Sequence, residues 1–177
     1  MVVGLGNENM TCDSLGKLVT SNLIVLDQTF AKESKLDRFC VLNPGVEGVT
    51  GINSFEIIKA LTAQINPDFV IAIDSLTAND VSRLGFTIQL SDAGIKPGGG
   101  VKDCNNVLNQ QTLGVPVLSV GVPLLISIEN LTGVQSKSFY QHFTPKEIDF
   151  VLRKCSKIIA DALNSILYSS QILKLFF

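Results

Sequence analysis

The sequence contains no tryptophan and a single histidine, His142, in 177 residues. Its four cysteines, Cys12, Cys40, Cys104 and Cys155, stand far apart, and no two of them have C-x-x-C spacing. A Cys/His zinc site of the usual spacing is therefore excluded. The cysteines read as reduced, mostly buried thiols of a cytosolic protein. Charge is also scarce, at 17% of residues against about 25% in an average chain. Fourteen Lys and Arg against sixteen Asp and Glu leave a net charge of −2, which is no electrostatic footprint for nucleic acid or an anionic membrane. No apolar run approaches the roughly 18–20 residues of a bilayer span. The most apolar stretch, residues 115–128, is interrupted by Pro116 and Pro123. The start, Met1-Val2-Val3-Gly4, has neither the basic region nor the long apolar stretch of a secretory signal. A Walker loop and a Gly-x-Ser-x-Gly elbow are both absent.

What the chain does have is apolar surface: 46% hydrophobic residues and a mean hydropathy of +0.34. That excludes intrinsic disorder. The length fits one domain, residues 1–177, of a size that removes roughly 68–70% of its unfolded surface from water. The excess apolarity has two candidate sources. One is a parallel sheet covered on both faces, whose strands are apolar throughout. The other is surface meant for a further copy or a covering segment. A first strand beginning at residue 2 without lead-in favours a contribution from the second source. So does the apolar run at residues 172–177, where a free terminus is ordinarily polar.

Strand-length apolar runs alternate with helix-period segments. Strands are expected at residues 2–5, 39–42, 69–73, 86–90 and 115–120. Helices are expected at 13–30, capped by Thr11 or Asp13, at 54–65, capped by Asn53 or Ser54, and at 145–167, where Thr144 caps and Pro145 takes the first helical position. A short helix is read at 79–84. This order points to an α/β fold, three layers α/β/α with a mostly parallel central sheet.

Ligands of open α/β sheets bind beyond the carboxyl ends of the strands. The segments expected there are Gly4-Leu5-Gly6-Asn7 running to Asp13, Asn43-Pro44-Gly45 running through Gly48 to Gly51, the end of the third strand at Asp74, and the Gly-rich loop carrying Asp92 and Lys96. A dinucleotide fingerprint fails: Asn9 stands at the third glycine position, and the second strand ends in Asn43-Pro44 without a ribose-binding carboxylate. No cofactor is expected. Asp74 reads either as a helix cap or as a site residue, and Asp13 either as an N-cap or as its partner. Two carboxylates brought together at that edge cannot both ionise freely, so one becomes an acid and the other a base. Such a pair can activate water for amide hydrolysis. Asp13, at a helix start, is expected to be the more readily ionised member. The same helix start is expected to lower the pKa of Cys12, although with the only histidine distant in sequence a thiol nucleophile ranks low. His142 reads as structural or surface.

The motifs Val2-Val3-Gly4-Leu5-Gly6-Asn7 and Thr11-x-Asp13-Ser14-Leu15-Gly16 resemble the opening of the germination protease family. Pro44-Gly45-Val46-x-Gly48-x-Thr50-Gly51-Ile52, Pro67-Asp68-Phe69-Val70-Ile71-Ala72-Ile73-Asp74-Ser75-Leu76, Ser91-Asp92-Ala93-Gly94-Ile95 and Phe143-Thr144-Pro145-Lys146-Glu147 continue the resemblance in order. It implies an atypical aspartic endopeptidase, similar in fold to hydrogenase maturation peptidases, that degrades small acid-soluble spore proteins in the spore cytoplasm at germination. The implied catalytic aspartates fall on Asp13 and Asp74. Gly4, Gly6, Asn7, Gly45, Gly48, Asp92 and Lys96 are expected along the site wall. The resemblance further implies a homotetramer made as a zymogen, with a family segment and propeptide ahead of the opening motif that this sequence lacks. Lys96 stands where the resemblance implies a histidine, so no metal is expected there. A lysine can instead hold one aspartate ionised or bind a substrate carboxylate. The alternatives are a non-catalytic or truncated paralogue that keeps the fold, and a metal-dependent maturation peptidase.

Overall fold

The computed structural model describes residues 1–27, 29, 39–98, 106–133 and 142–168. Cys104, the end of the Gly-rich loop and residues 172–177 lie outside them. Strands β1 (Val2–Gly4), β2 (Val41–Leu42), β3 (Val70–Ala78), β4 (Gln89–Ser91), β5 (Val117–Ser127) and β6 (His142–Phe143) form one sheet. Its order is β2-β1-β3-β5-β4, with β6 added to β5. The first four strands in that order are parallel; β4 and β6 run antiparallel to β5. The helices are α1 (Leu15–Ser21), α2 (Glu47–Thr50), α3 (Ser54–Ile65), α4 (Gln110–Leu113), α5 (Ile128–Thr132) and α6 (Ile148–Tyr168).

The central strands are apolar on both sides because both sides are covered. Ile71 and Ile73 of β3, with Val120, Val122 and Leu124 of β5, pack on Leu15 and Val19 of α1 and on Leu152, Ile159 and Leu163 of α6. Val70 and Ala72, one residue out of phase, pack with Val3 of β1 on Phe55 and Ile58 of α3 and on Leu108. The expected three-layer α/β/α arrangement is therefore present, with a mostly parallel sheet. Among the described residues no helix is long and apolar enough to cross a membrane.

Helix α3 matches its expected bounds. The Asn53 side chain accepts the Phe55 N–H at 2.9 Å, and the left-handed Asn66 (φ 50°) ends the helix ahead of Pro67. Several other expectations need correction. The helix expected from residue 13 starts later and stops early: Thr11–Asp13 is a 3₁₀ turn, Ser14 takes the N-cap position, and α1 ends at Ser21. Neither Thr11 nor Asp13 caps it. Asn22 stops it by donating its side-chain N–H to the Leu18 carbonyl (2.7 Å), competing with the helical ladder. In place of the helix expected at 79–84 there is a 3₁₀ turn, Val81–Arg83, capped by Asp80. The last helix begins at Ile148 rather than at Pro145, which precedes it in a turn.

The third strand does not close at Ile73. Strand β5 pairs with it through Ala78, so Asp74 lies within β3 and caps no helix. Strand β5 itself runs through Pro123, and the ladder shifts register immediately after the Leu76–Pro123 pair. A proline has no N–H to donate, and an irregularity is where a sheet accommodates one. Because β4 is antiparallel, the segment after it, with Asp92, leaves the sheet at the amino edge of the parallel strands. The expectation that this loop departs from the carboxyl edge is corrected.

Two glycines join β1 to α1. A Cβ on Gly16 would stand 2.4 Å from the backbone N and O of Leu5, and one on Gly4 would stand 2.5 Å from the Gly16 carbonyl. Backbone cannot step aside as a side-chain end can, so Gly16→Ala is expected to cost about 3 kcal/mol, the upper end of overpacking penalties. Urea unfolding would show this as a lowered midpoint at unchanged slope.

Candidate active site

Strand β1 ends with Gly4 paired to Ile73, and the Leu5 N–H still bonds the Ile73 carbonyl at 2.8 Å. Asp74 is the next residue of β3, the first that β1 no longer flanks. The chain leaves β1 through Gly6, whose φ of +99° suits glycine, and loops back over this edge to Asp13. A Cβ on Gly6 would lie 2.0 Å from the Asp13 carbonyl oxygen, so only glycine lets the turn close this tightly.

The loop holds Asp13 by backbone. The Asn7 N–H donates to Asp13 Oδ2 at 2.8 Å, and the Asn7 side chain accepts the Asn9 N–H at 3.0 Å. Asp13 is half-buried and Asp74 is 6% exposed. Asp74 Oδ1 accepts the N–H of Ser75 at 2.8 Å. Burial first, then the nearby charge of Asp13, pushes the Asp74 carboxyl well above the usual carboxylate range, against the Ser75 N–H. Burial also raises Asp13, opposed by the Asn7 N–H. The order expected from sequence, with Asp13 the readier to ionise, agrees with these directions. The cause differs: Asp13 gains from a loop N–H and lesser burial, not from capping a helix. Cys12 moves opposite to expectation, since burial and the charge of Asp13 raise its thiol.

The other expected site residues divide. Gly4 and Gly6 shape the backbone around Asp13, and Asn7 holds it. Asn7 and Gly45 also line a cleft of about 170 Å³ with Glu8, Asn9, Asn43, Pro44, Val46, Val49 and Thr50. Gly48 sits exposed in α2 and lines neither this cleft nor the next. Asp92 is exposed. Lys96 is half-buried, and among the described residues neither aspartate has a lysine or arginine within ion-pair distance. Of the two roles open to Lys96, an ion pair with an aspartate is not formed among the described residues. His142 lies exposed in β6 opposite Ser127, six residues along β5 from the Gly121 that pairs with Asp74, a span of roughly 20 Å. Among the described residues no three His, Cys, Asp or Glu side chains converge as a metal-binding group.

Sequence reasoning missed a second cleft of about 380 Å³, lined by Glu8, Asn9, Thr11, Ser14, Leu18, Asp149, Leu152 and Arg153. It joins the aspartate loop to the start of α6. Nothing local in the sequence signals it, because its walls come from opposite ends of the chain.

The sequence profile of the germination proteases matches residues 1–143. The chain belongs to the germination protease family. It is 42% identical to the germination protease of Bacillus licheniformis and 41% identical to that of a Geobacillus species, in each case over 148 residues. Those matches cover 81% of this chain and 40% of each relative, so the chain spans about two-fifths of the length of the germination proteases it matches. Among solved structures, the [NiFe] hydrogenase maturation protease HycI of Thermococcus kodakarensis aligns at a TM-score of 0.49 with 18% identity, over 92% of this chain and 90% of that one.

The raised Asp74 fixes the sign of a pH dependence. Below about pH 4 the carboxyl is protonated both folded and unfolded and contributes nothing. As pH rises, the unfolded carboxyl ionises first, so stability falls until the pH passes the folded value. Asp74→Asn removes that loss. In thermal unfolding followed from about pH 4 to neutrality, the variant is expected to melt above the parent by a margin that widens with pH. In Asp13→Asn, NMR titration is expected to find the Asp74 carboxyl ionising at lower pH than in the parent, though still above the ordinary range.

Proposed function

We propose that the chain is an aspartic-type endopeptidase that degrades small acid-soluble spore proteins in the spore cytoplasm, with Asp13 and Asp74 as the catalytic pair. The observation that carries this reading is the pair itself: two carboxylates at the carboxyl edge of the central strands, the charge of Asp13 acting on Asp74, whose carboxyl burial pushes well above the usual carboxylate range. Membership of the germination protease family supports the substrate class. The exposed apolar side chains Phe86 and Leu90 at the β4 edge suit assembly with further copies of the chain.

In this reading Asp13, the less buried and more readily ionised carboxylate, is the general base. It takes a proton from water as the water oxygen bonds to the scissile carbonyl carbon. Asp74 gives its proton to the carbonyl oxygen, so that the tetrahedral intermediate carries no net charge. Asp13 then passes its new proton to the amide nitrogen as the C–N bond breaks. Asp74 recovers a proton from the intermediate's hydroxyl as the carboxyl product forms. The pair ends as it began, with one proton shared between two sites. No cofactor enters the scheme.

Asp13→Asn and Asp74→Asn are each expected to lower kcat by about 10²–10⁴-fold, the range that positioned acid–base groups supply. Electrophoresis of a small acid-soluble spore protein incubated with each form reads the loss. Activity should also fall on both sides of a pH maximum, where the pair holds two protons or none. Cleavage that persists in both variants removes the assigned roles.

A further inference from the structure

The loop Asn7–Asn9 stands between the two clefts, which share only Glu8 and Asn9. On one side the wall is Asn43 to Thr50, the segment that follows β2; on the other it is Thr11 and Ser14 together with the first turns of α6. Asp13 is tied to both sides. Its carboxylate accepts the N–H of Asn7, which lines the first cleft, and its chain neighbours Thr11 and Ser14 line the second. A single extended peptide laid across the loop would therefore reach both clefts, with its middle over the loop whose Asn7 N–H holds the Asp13 carboxylate.

We propose that these two clefts are the two halves of one substrate path, each receiving side chains from one side of the scissile bond. This inference rests on the peptidase reading above and adds the residues that select the substrate. The two halves differ chemically. Glu8 is common to both; apart from it the first is lined by uncharged residues, the amides Asn7, Asn9 and Asn43 with Val46 and Val49 among them. The second is charged, with Asp149 and Arg153 one turn apart on α6. Arg153 Nε bonds the Asp149 backbone carbonyl only loosely, at 3.4 Å, and both side chains are exposed. The second cleft is thus the one that discriminates charge on the peptide, while the first discriminates size.

Val49 and Thr11 are exposed residues of the first and second cleft, outside the catalytic machinery. Val49→Trp and Thr11→Trp narrow one cleft each. Gln64→Trp, on the exposed side of α3, touches neither and serves as control. Binding is read by fluorescence anisotropy of labelled peptides tiling a small acid-soluble spore protein, in an Asp74→Asn background so that no peptide is consumed. Each cleft substitution is expected to weaken binding at least about fivefold, with the control unchanged. In the Asp74-containing chain the same substitutions should raise KM by a similar factor at kcat within about twofold, the signature of lost uniform binding. Arg153→Glu should reverse the preference between peptides differing only in charge on one side of the cleaved bond. Peptides that bind with affinities indifferent to both cleft substitutions, or no peptide binding at all, overturn the path. Peptides that bind as expected but are never cleaved by the parent overturn the peptidase reading and leave the path standing.

Discussion

Strand β1 stops one residue before Asp74, and the carboxyl edge is built on that difference in length. Had β1 continued, its next residue would have flanked Asp74 and filled the space above the sheet edge. Instead Leu5 makes the last ladder bond to Ile73, Gly6 turns the chain out at φ +99°, and the returning loop sets Asp13 over the gap. The turn can be this tight because Gly4 and Gly16 bring the end of β1 and the start of α1 into backbone contact. A side chain at either glycine would push α1 outward and carry Asp13 away from Asp74. The glycines of the opening motif therefore serve spacing. No phosphate-binding fingerprint is needed to explain them.

Burial, backbone hydrogen bonds and mutual repulsion act on the two carboxylates with unequal weight. Asp74 is almost fully enclosed and has one N–H to favour its charge; Asp13 is half-enclosed and has one as well. With one N–H bond to each, enclosure decides which carboxyl is raised further. The repulsion from Asp13 then adds to the larger effect and widens the separation. A buried carboxylate with no cation nearby is neutralised by a proton, since the charged form has no other compensation. Two carboxylates of unequal acidity, near enough for the charge of Asp13 to act on Asp74, follow without any third titratable group.

Much of this was legible in the sequence. Strand-length apolar runs at residues 69–73 and 115–120 suit strands covered on both faces, and alternation with helix-period segments gives the layer order. The bounds of α3 followed from local chemistry alone, because Asn53, Asn66 and Pro67 act within a few residues. Asp13 and Asp74 could be picked out because each follows an apolar strand or a Gly-x-Gly turn. What escaped depends on pairing between distant segments. The length of β3 past Asp74 is set by β5, and nothing in Ser75–Ala78 announces it. The direction of β4 is likewise set by its partner, since a three-residue strand reads the same either way. From that one reversal the loop carrying Asp92 and Lys96 was placed at the wrong edge.

The scarcities of the sequence acquire a chemical meaning at this edge. A chain with 17% charged residues and one histidine has few cations to spare for a buried carboxylate. Where Lys17 does meet an acid it is Glu8, at 3.7 Å on the exposed rim, rather than the pair behind it. An arginine or lysine against Asp74 would hold both aspartates ionised and leave two bases with no acid. A histidine beside them would offer a second proton acceptor near neutrality and divide the role now given to Asp13. The described surroundings of the pair supply neither. The low charge that accompanies a doubly covered apolar sheet thus also leaves the Asp74 carboxyl raised well above the ordinary range, and the fold's core composition and the site's acid–base asymmetry come from the same shortage of polar groups around β3.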